Sequence, residues 1–181
     1  MSKKIVVLTG SPRKDGNSMA MADAFIETVK AKGHVVTRFD AAEKHVEGCR
    51  ACNNCYKNDK ACCVDDDFNE LAPAIEAADA VVFAMPLYWY SFPSKIKAAI
   101  DKMYSLLVAE KKMAGKESGL IVCCEEDNIA AMDGIVKSYE CCMSYLEWKS
   151  AGTVLITGVG EPGDVNKTDG IAQAKALAEK F

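Results

Sequence analysis

No stretch of this chain approaches the ~18 consecutive apolar residues of a membrane-spanning helix. The opening Met-Ser-Lys-Lys leads into only four apolar residues, Ile5 to Leu8, which is no signal-peptide core; a cytoplasmic location is expected. A basic excess is also missing. Lys and Arg number 22 against 26 Asp and Glu, a net charge of −4, which leaves no electrostatic footprint for nucleic acid. Histidine is scarce, and neither His34 nor His45 has a recognisable partner, so both read as surface residues. There is no linker, repeat or low-complexity segment, and the 181 residues suit one domain spanning 1–181. Cysteine, by contrast, is plentiful, with nine in all. An odd count and three adjacent pairs (62/63, 123/124 and 141/142) argue against a disulfide framework in a reducing compartment. Metal ligation, catalysis and burial remain as uses for these thiols.

The hydrophobic pattern alternates strand and helix from end to end. Apolar runs predict strands at about 4–9, 34–39, 80–84, 119–124 and 153–157. Apolar residues at helical spacing predict helices at about 17–32, from 67, from 93 to 107, from 129, and from 168 to the end. Asp67 followed by Glu70 predicts a variant capping box. Five apolar strands separated by helices imply an α/β fold with a parallel sheet covered on both faces. The size fits a flavodoxin-like three-layer sandwich with strand order 2-1-3-4-5. In such a sheet the ligand lies beyond the carboxyl ends of the strands, where strands 1 and 3 diverge. That rule brings together residues 9–18, 85–93 and 124–128. A cysteine-rich irregular segment, about 43–66, interrupts the alternation.

Two of those loops carry chemistry. Thr9-Gly10-Ser11-Pro12-Arg13-Lys14-Asp15-Gly16-Asn17-Ser18 joins the first strand to the first helix. A helix N-terminus, hydroxyls and a guanidinium there suit a phosphate. It is not a P-loop, because five residues separate Gly10 from Gly16 and Asn17 stands where the lysine belongs. G-x-G-x-x-G is absent too, so a monophosphate remains. The alternative is a plain turn capped by Asn17 or Ser18. The loop after the third strand sets Leu87, Tyr88, Trp89, Tyr90 and Phe92 between Pro86 and Pro93. Rigid aromatic walls suit a large planar ring, although core or interface roles would also use them. One phosphate and one flat ring together describe FMN.

Gly10-Ser11-Pro12-Arg13, Gly16-Asn17-Ser18, Pro86-Leu87-Tyr88-Trp89 and Lys95-Ile96-Lys97 resemble the NADPH-dependent FMN reductase and iron–sulfur flavoprotein branch of the flavodoxin-like family. So does the Cys49-Cys52-Cys55 segment running to Asp66-Asp67-Phe68. The resemblance implies that Ser11, Arg13, Asn17 and Ser18 hold the FMN phosphate, while Pro86, Leu87, Tyr88 and Trp89 line the ring. It implies an oxidoreductase that takes electrons from NAD(P)H and passes them to a quinone, flavin or other small acceptor. Homodimers or homotetramers are also implied. One departure is Cys124-Glu125-Glu126-Asp127-Asn128, where relatives often carry Thr and Gly. These carboxylates are expected to turn outward into the first turn of the following helix.

Cys49-x2-Cys52-x2-Cys55, with six residues more to Cys62, is a compact thiolate set. C-x2-C-x2-C repeats wrap ferredoxin-type clusters, whereas structural zinc prefers separated pairs. The resemblance implies a [4Fe-4S] cluster on Cys49, Cys52, Cys55 and Cys62, with Cys63 competing as fourth ligand. Such a protein would be an electron carrier. The competing reading is a loop of reduced thiols with no cluster, and a third is a redox- or metal-sensing module. Cys123, Cys124 and Cys142 read as core.

Overall fold

The computed structural model describes residues 1–181. Five parallel strands form one sheet, β1 (Lys4–Thr9), β2 (Val35–Asp40), β3 (Ala80–Pro86), β4 (Glu117–Cys123) and β5 (Lys149–Ile156), in the order β2-β1-β3-β4-β5. Six α-helices flank it: α1 (Asn17–Ala31), α2 (Phe68–Ala77), α3 (Ser94–Lys102), α4 (Tyr104–Val108), α5 (Asp133–Tyr145) and α6 (Gly170–Ala178). None of them is long and apolar enough to cross a membrane.

Strand periodicity divides the interior into two cores. Ile5 and Val7 pack with Phe25 and Val29 of α1 and with Leu177 near the C-terminus. Val6, Leu8 and Phe83 pack with Leu71 and Ile75 of α2, Ile96 of α3 and Tyr139 of α5. Each such buried side chain contributes roughly 1.5–3 kcal/mol. Because β1, β3 and β4 are buried on both faces, they read as unbroken apolar runs in the sequence. The chain between β2 and α2 holds no strand and no α-helix, as expected for the cysteine-rich segment.

Several boundaries differ from expectation. The helix expected from 93 to 107 breaks at Met103, whose N–H is shared between the carbonyls of Ala99 and Ile100. That bifurcation tightens the turn and separates α3 from α4. The capping box does not form. Asp67 accepts instead from the His45 N–H at 2.7 Å, and Glu70 is drawn away by Lys44. The helix expected from 129 opens as a 3₁₀ turn, Ile129–Met132, before α5. β5 begins at Lys149 rather than 153, because its first residues are polar or small on an edge strand and carry no hydrophobic signal.

Candidate functional site

The carboxyl ends of β1, β3, β4 and β5 meet at one cleft of about 280 Å³. Ser11, Arg13, Gly16, Asn17 and Ser18 line one side, with Pro86, Leu87 and Tyr88 on the other. Residues expected in two loops therefore share one site. Gly10 donates its N–H to Ala84 at 3.0 Å, and a Cβ there would come within 2.9 Å of Met85. Loop 1 can cross β3 only because position 10 lacks a side chain.

The start of α1 is unusual. Gly16 is its N-cap and makes no side-chain cap bond, so the alternative of a plain turn capped by Asn17 or Ser18 does not hold. The first N–H groups of a helix have no intrahelical partner. Here they belong to Asn17 and Ser18, both buried beside the cleft. A Cβ on Gly16 would stand 3.0 Å from Ser11 Oγ and from the Arg13 carbonyl oxygen. Glycine thus keeps the cradle narrow. The Ser11 hydroxyl oxygen accepts from the Arg13 N–H at 3.1 Å, which folds the loop back on itself. Arg13 Nη1 donates to the Gly160 carbonyl at 3.2 Å, and the other guanidinium donors are free of protein partners. These features fit an anionic group of phosphate size.

Asn17 serves the site differently from Ser11. Its amide donates to the Glu161 carbonyl at 2.9 Å and accepts from the Val165 N–H at 3.1 Å. The side chain ties the β5–α6 connection to α1, leaving the backbone N–H for a ligand. That connection was missed in the sequence, yet Val159, Gly160 and Pro162 line the cleft. The run Gly158-Val159-Gly160-Glu161-Pro162-Gly163 was the available signal.

Trp89 lies outside this cleft. Leu87, Tyr88, Trp89 and Tyr90 border an adjoining open hollow of about 470 Å³, which also touches Cys124, Glu125 and Glu126. Tyr88 and Ser91 bond each other's backbone as a two-residue hairpin, with Trp89 at φ 47° and Tyr90 at φ 60°. Such turns require φ > 0 at both central residues, a cost of roughly 1–2 kcal/mol for each non-glycine. The Tyr90 hydroxyl donates to Glu126 Oε1 at 2.7 Å and fastens the hairpin. The carboxylate it faces raises the Tyr90 phenol above its ordinary pKa. Trp89 is 94% exposed.

Glu125, Glu126 and Asp127 are all exposed, as the outward reading expects, but they do not enter the first turn of the following helix. Asn128 caps the 3₁₀ turn through its side chain, so all three carboxylates precede the helix. Glu125 lines the cleft and Glu126 holds Tyr90. Cys123 and Cys124 are buried, as expected of core residues, but they also line the cleft. Burial pushes the Cys123 thiol up to about 12, and it raises that of Cys124 as well.

The cysteine segment forms a separate, narrow apolar hollow of about 20 Å³, lined by Cys49, Cys52, Cys55, Cys62 and Cys63. No three of these thiols converge at metal-ligating geometry. Ala51, Asn53 and Tyr56 have φ of 50°, 52° and 55°. Left-handed residues of this kind turn backbone N–H groups to one side, as in the nests that hold anions and iron–sulfur groups. Cys52 Sγ lies 3.4 Å from Cys63 Sγ. The Asn54 N–H, then Cys63, lower the Cys52 pKa, while the same contact raises that of Cys63. Alkylation of the native metal-free protein at pH 8 should therefore label Cys52 before Cys63 and leave Cys123 unlabelled. Peptide mass spectrometry of a time course reads the order.

Residues 3–135 match the family of NADPH-dependent FMN reductases, and the chain belongs to that family. It is 34% identical over 113 residues to an iron–sulfur flavoprotein of Methanosarcina thermophila, covering 62% of this chain and 58% of that protein. The chain spans about half the length of the iron–sulfur flavoproteins it matches. An FMN-dependent NADH:quinone oxidoreductase of Macrococcus caseolyticus is 26% identical and covers 98% of this chain and 99% of its own. In fold, an azoreductase of Bacillus anthracis superposes with a TM-score of 0.78 at 20% identity, covering 100% of both chains.

Proposed function

We propose that the protein is an FMN-dependent oxidoreductase that takes electrons from NAD(P)H and delivers them to a quinone, a flavin or another small acceptor. One observation carries this reading. The uncapped start of α1, with Ser11 and Arg13, shares a single cleft with the Pro86–Tyr88 wall. Bound FMN supplies the hydride acceptance and electron transfer. The chain's own residues do the rest. Ser11, Ser18 and the first N–H groups of α1 hold the phosphate, and Arg13 neutralises its charge. Pro86, Leu87 and Tyr88 flank the ring. Val159 and the protonated, buried Cys123 keep water from that end of the cleft. The open hollow at Tyr88–Tyr90 leaves room for nicotinamide and acceptor to take turns. The name of the Macrococcus relative supports the same chemistry. Anaerobic mixing of the FMN-loaded protein with NADH, and separately with NADPH, tests it. At least one nucleotide should bleach the flavin absorbance, and a quinone should restore it. No bleaching by either overturns the assignment. Assembly as two or four copies is also expected, and sedimentation velocity reads it; a monomer would contradict it.

A second reading adds a [4Fe-4S] cluster on Cys49, Cys52, Cys55 and Cys62, with Cys63 as the competing ligand, and makes the protein an electron carrier. The gathering of five thiols round one hollow with left-handed backbone favours it. Sites of this kind are seldom preformed without their metal, so the exposed loop would close round the ions on binding. Anaerobic purification followed by iron and acid-labile sulfide analysis decides it.

A further inference from the structure

We infer that Cys52 and Cys63 form a redox-active dithiol, which a low-molecular-weight disulfide converts to an intramolecular disulfide. Of the nine cysteines only these two hydrogen-bond to each other, Sγ to Sγ at 3.4 Å. Both are exposed, so a small reagent reaches them without disturbing the core. The hollow beside them holds only about 20 Å³, and no three thiols converge on it. As arranged, the loop presents a pair of thiols rather than a metal cage. No cluster is needed for this chemistry. Cys52 is also a ligand in the second reading above, so disulfide and cluster compete for that thiol.

The backbone brings the two sulfurs together from both ends of the loop. Asn69, in α2, grips the chain on either side of Cys63. Its Oδ1 accepts from the Cys62 N–H at 2.8 Å, and its Nδ2 donates to the Val64 carbonyl at 2.9 Å. Cys63 is thereby fixed to the folded domain. Cys52 stands between Ala51 and Asn53, whose φ of 50° and 52° are left-handed and costly for residues other than glycine. Strain of this kind clusters at functional sites. Between the two cysteines the Tyr56 N–H donates to the Lys60 carbonyl at 3.0 Å, and that turn carries the chain back from one to the other. From 3.4 Å, rotation of two exposed side chains covers the remaining distance to a bond of about 2.05 Å.

The step is thiol–disulfide exchange. One thiolate of the pair attacks a sulfur of the reagent, breaks its S–S bond and releases one small thiolate. The other thiolate attacks the protein sulfur of that mixed disulfide, forms the Cys52–Cys63 bond and expels the second. Two electrons and two protons pass to the reagent, which leaves as two thiols. A dithiol reductant reverses the step.

The test treats the full chain, purified anaerobically and assayed first for iron and sulfide, with rising glutathione disulfide. Alkylation after acid quenching, followed by peptide mass spectrometry, reads the state of each cysteine. Wild type should gain a single cross-link, between Cys52 and Cys63, and dithiothreitol should remove it. Half-oxidation of the pair should need at least about tenfold less glutathione disulfide than half-modification of Cys141, an exposed cysteine outside the loop, because the second exchange is intramolecular. Cys63→Ser should stop at glutathione retained on Cys52, whereas Cys62→Ser should cross-link as wild type does. A cross-link through Cys49, Cys55 or Cys62, a Cys62→Ser variant that forms none, or modification of Cys141 as readily as the pair would overturn the inference. Protein carrying a complete cluster that glutathione disulfide leaves intact would also overturn it, and would bear out the second reading instead.

Discussion

Replacing Asp66 with Asn is expected to lower the free energy of unfolding by about 3–5 kcal/mol, the cost of stranding one charge of a buried pair. Asp66 and Lys102 have side-chain exposures of 0% and 2%. The carboxylate also accepts from the Glu47 N–H at 2.8 Å and the Phe68 N–H at 3.2 Å. One side chain thus fastens both ends of the cysteine segment to α3. An amide could keep one of the N–H contacts but could not compensate the ammonium, which is buried 5.9 Å over the Phe68 ring. For a protein of this size the loss corresponds to roughly 6–20 °C in melting temperature. Asp66→Asn combined with Lys102→Met should cost less than the two single changes summed, because no buried charge is then left alone. Thermal and urea denaturation of the four proteins check both statements. A single-variant loss within 1 kcal/mol (the ordinary scale of surface changes is about ±0.5) would show that the ammonium is solvated.

Arg13→Ala should weaken FMN binding by about 10–100-fold, the worth of charge-assisted hydrogen bonds to a phosphate, about 1.5–3 kcal/mol. Arg13 is exposed and makes one weak bond, to Gly160, so its loss should leave the fold's stability little changed. Riboflavin, which has no phosphate, should bind the variant as it binds wild type. Arg13→Lys should recover part of the affinity, since lysine keeps the charge but lacks the planar fork. The wild-type advantage should also shrink as salt rises, because the guanidinium lies near solvent. Fluorescence titration with both flavins at two salt concentrations separates these outcomes. An equal loss for FMN and riboflavin would place Arg13 in a structural role.

Much of this architecture was legible because burial on two faces leaves a strong trace. Ile5 to Leu8, Val81 to Ala84 and Leu120 to Val122 read as buried strands between helical stretches, and their order is the flavodoxin-like one that the size of the array suggested. The phosphate loop and the aromatic loop fell on one edge for the same reason. What escaped the sequence was decided by contacts between distant residues. Nothing local shows that the Asn17 amide is consumed by Glu161 and Val165, 144 and 148 residues away. Cys123 and Cys124 satisfy the pattern of a buried strand end, and the same pattern hides their place in the cleft wall. Glu125 was expected to seek a helix N-terminus, but Asn128 had already taken the cap. The capping box at Asp67 failed because the His45 backbone offered a better-placed donor. Lys102 and Asp66, 36 residues apart, look like ordinary surface charges until α3 lays one over the other.

The most direct measurement is titration of the folded, flavin-free protein with FMN and with riboflavin, followed by quenching of flavin fluorescence. FMN should bind one to one, at least about 100-fold more tightly than riboflavin, the difference being the phosphate held by Ser11, Arg13, Ser18 and the start of α1. Equal affinity for the two flavins, or no FMN binding by protein that melts cooperatively, would contradict the phosphate cradle and the oxidoreductase built on it.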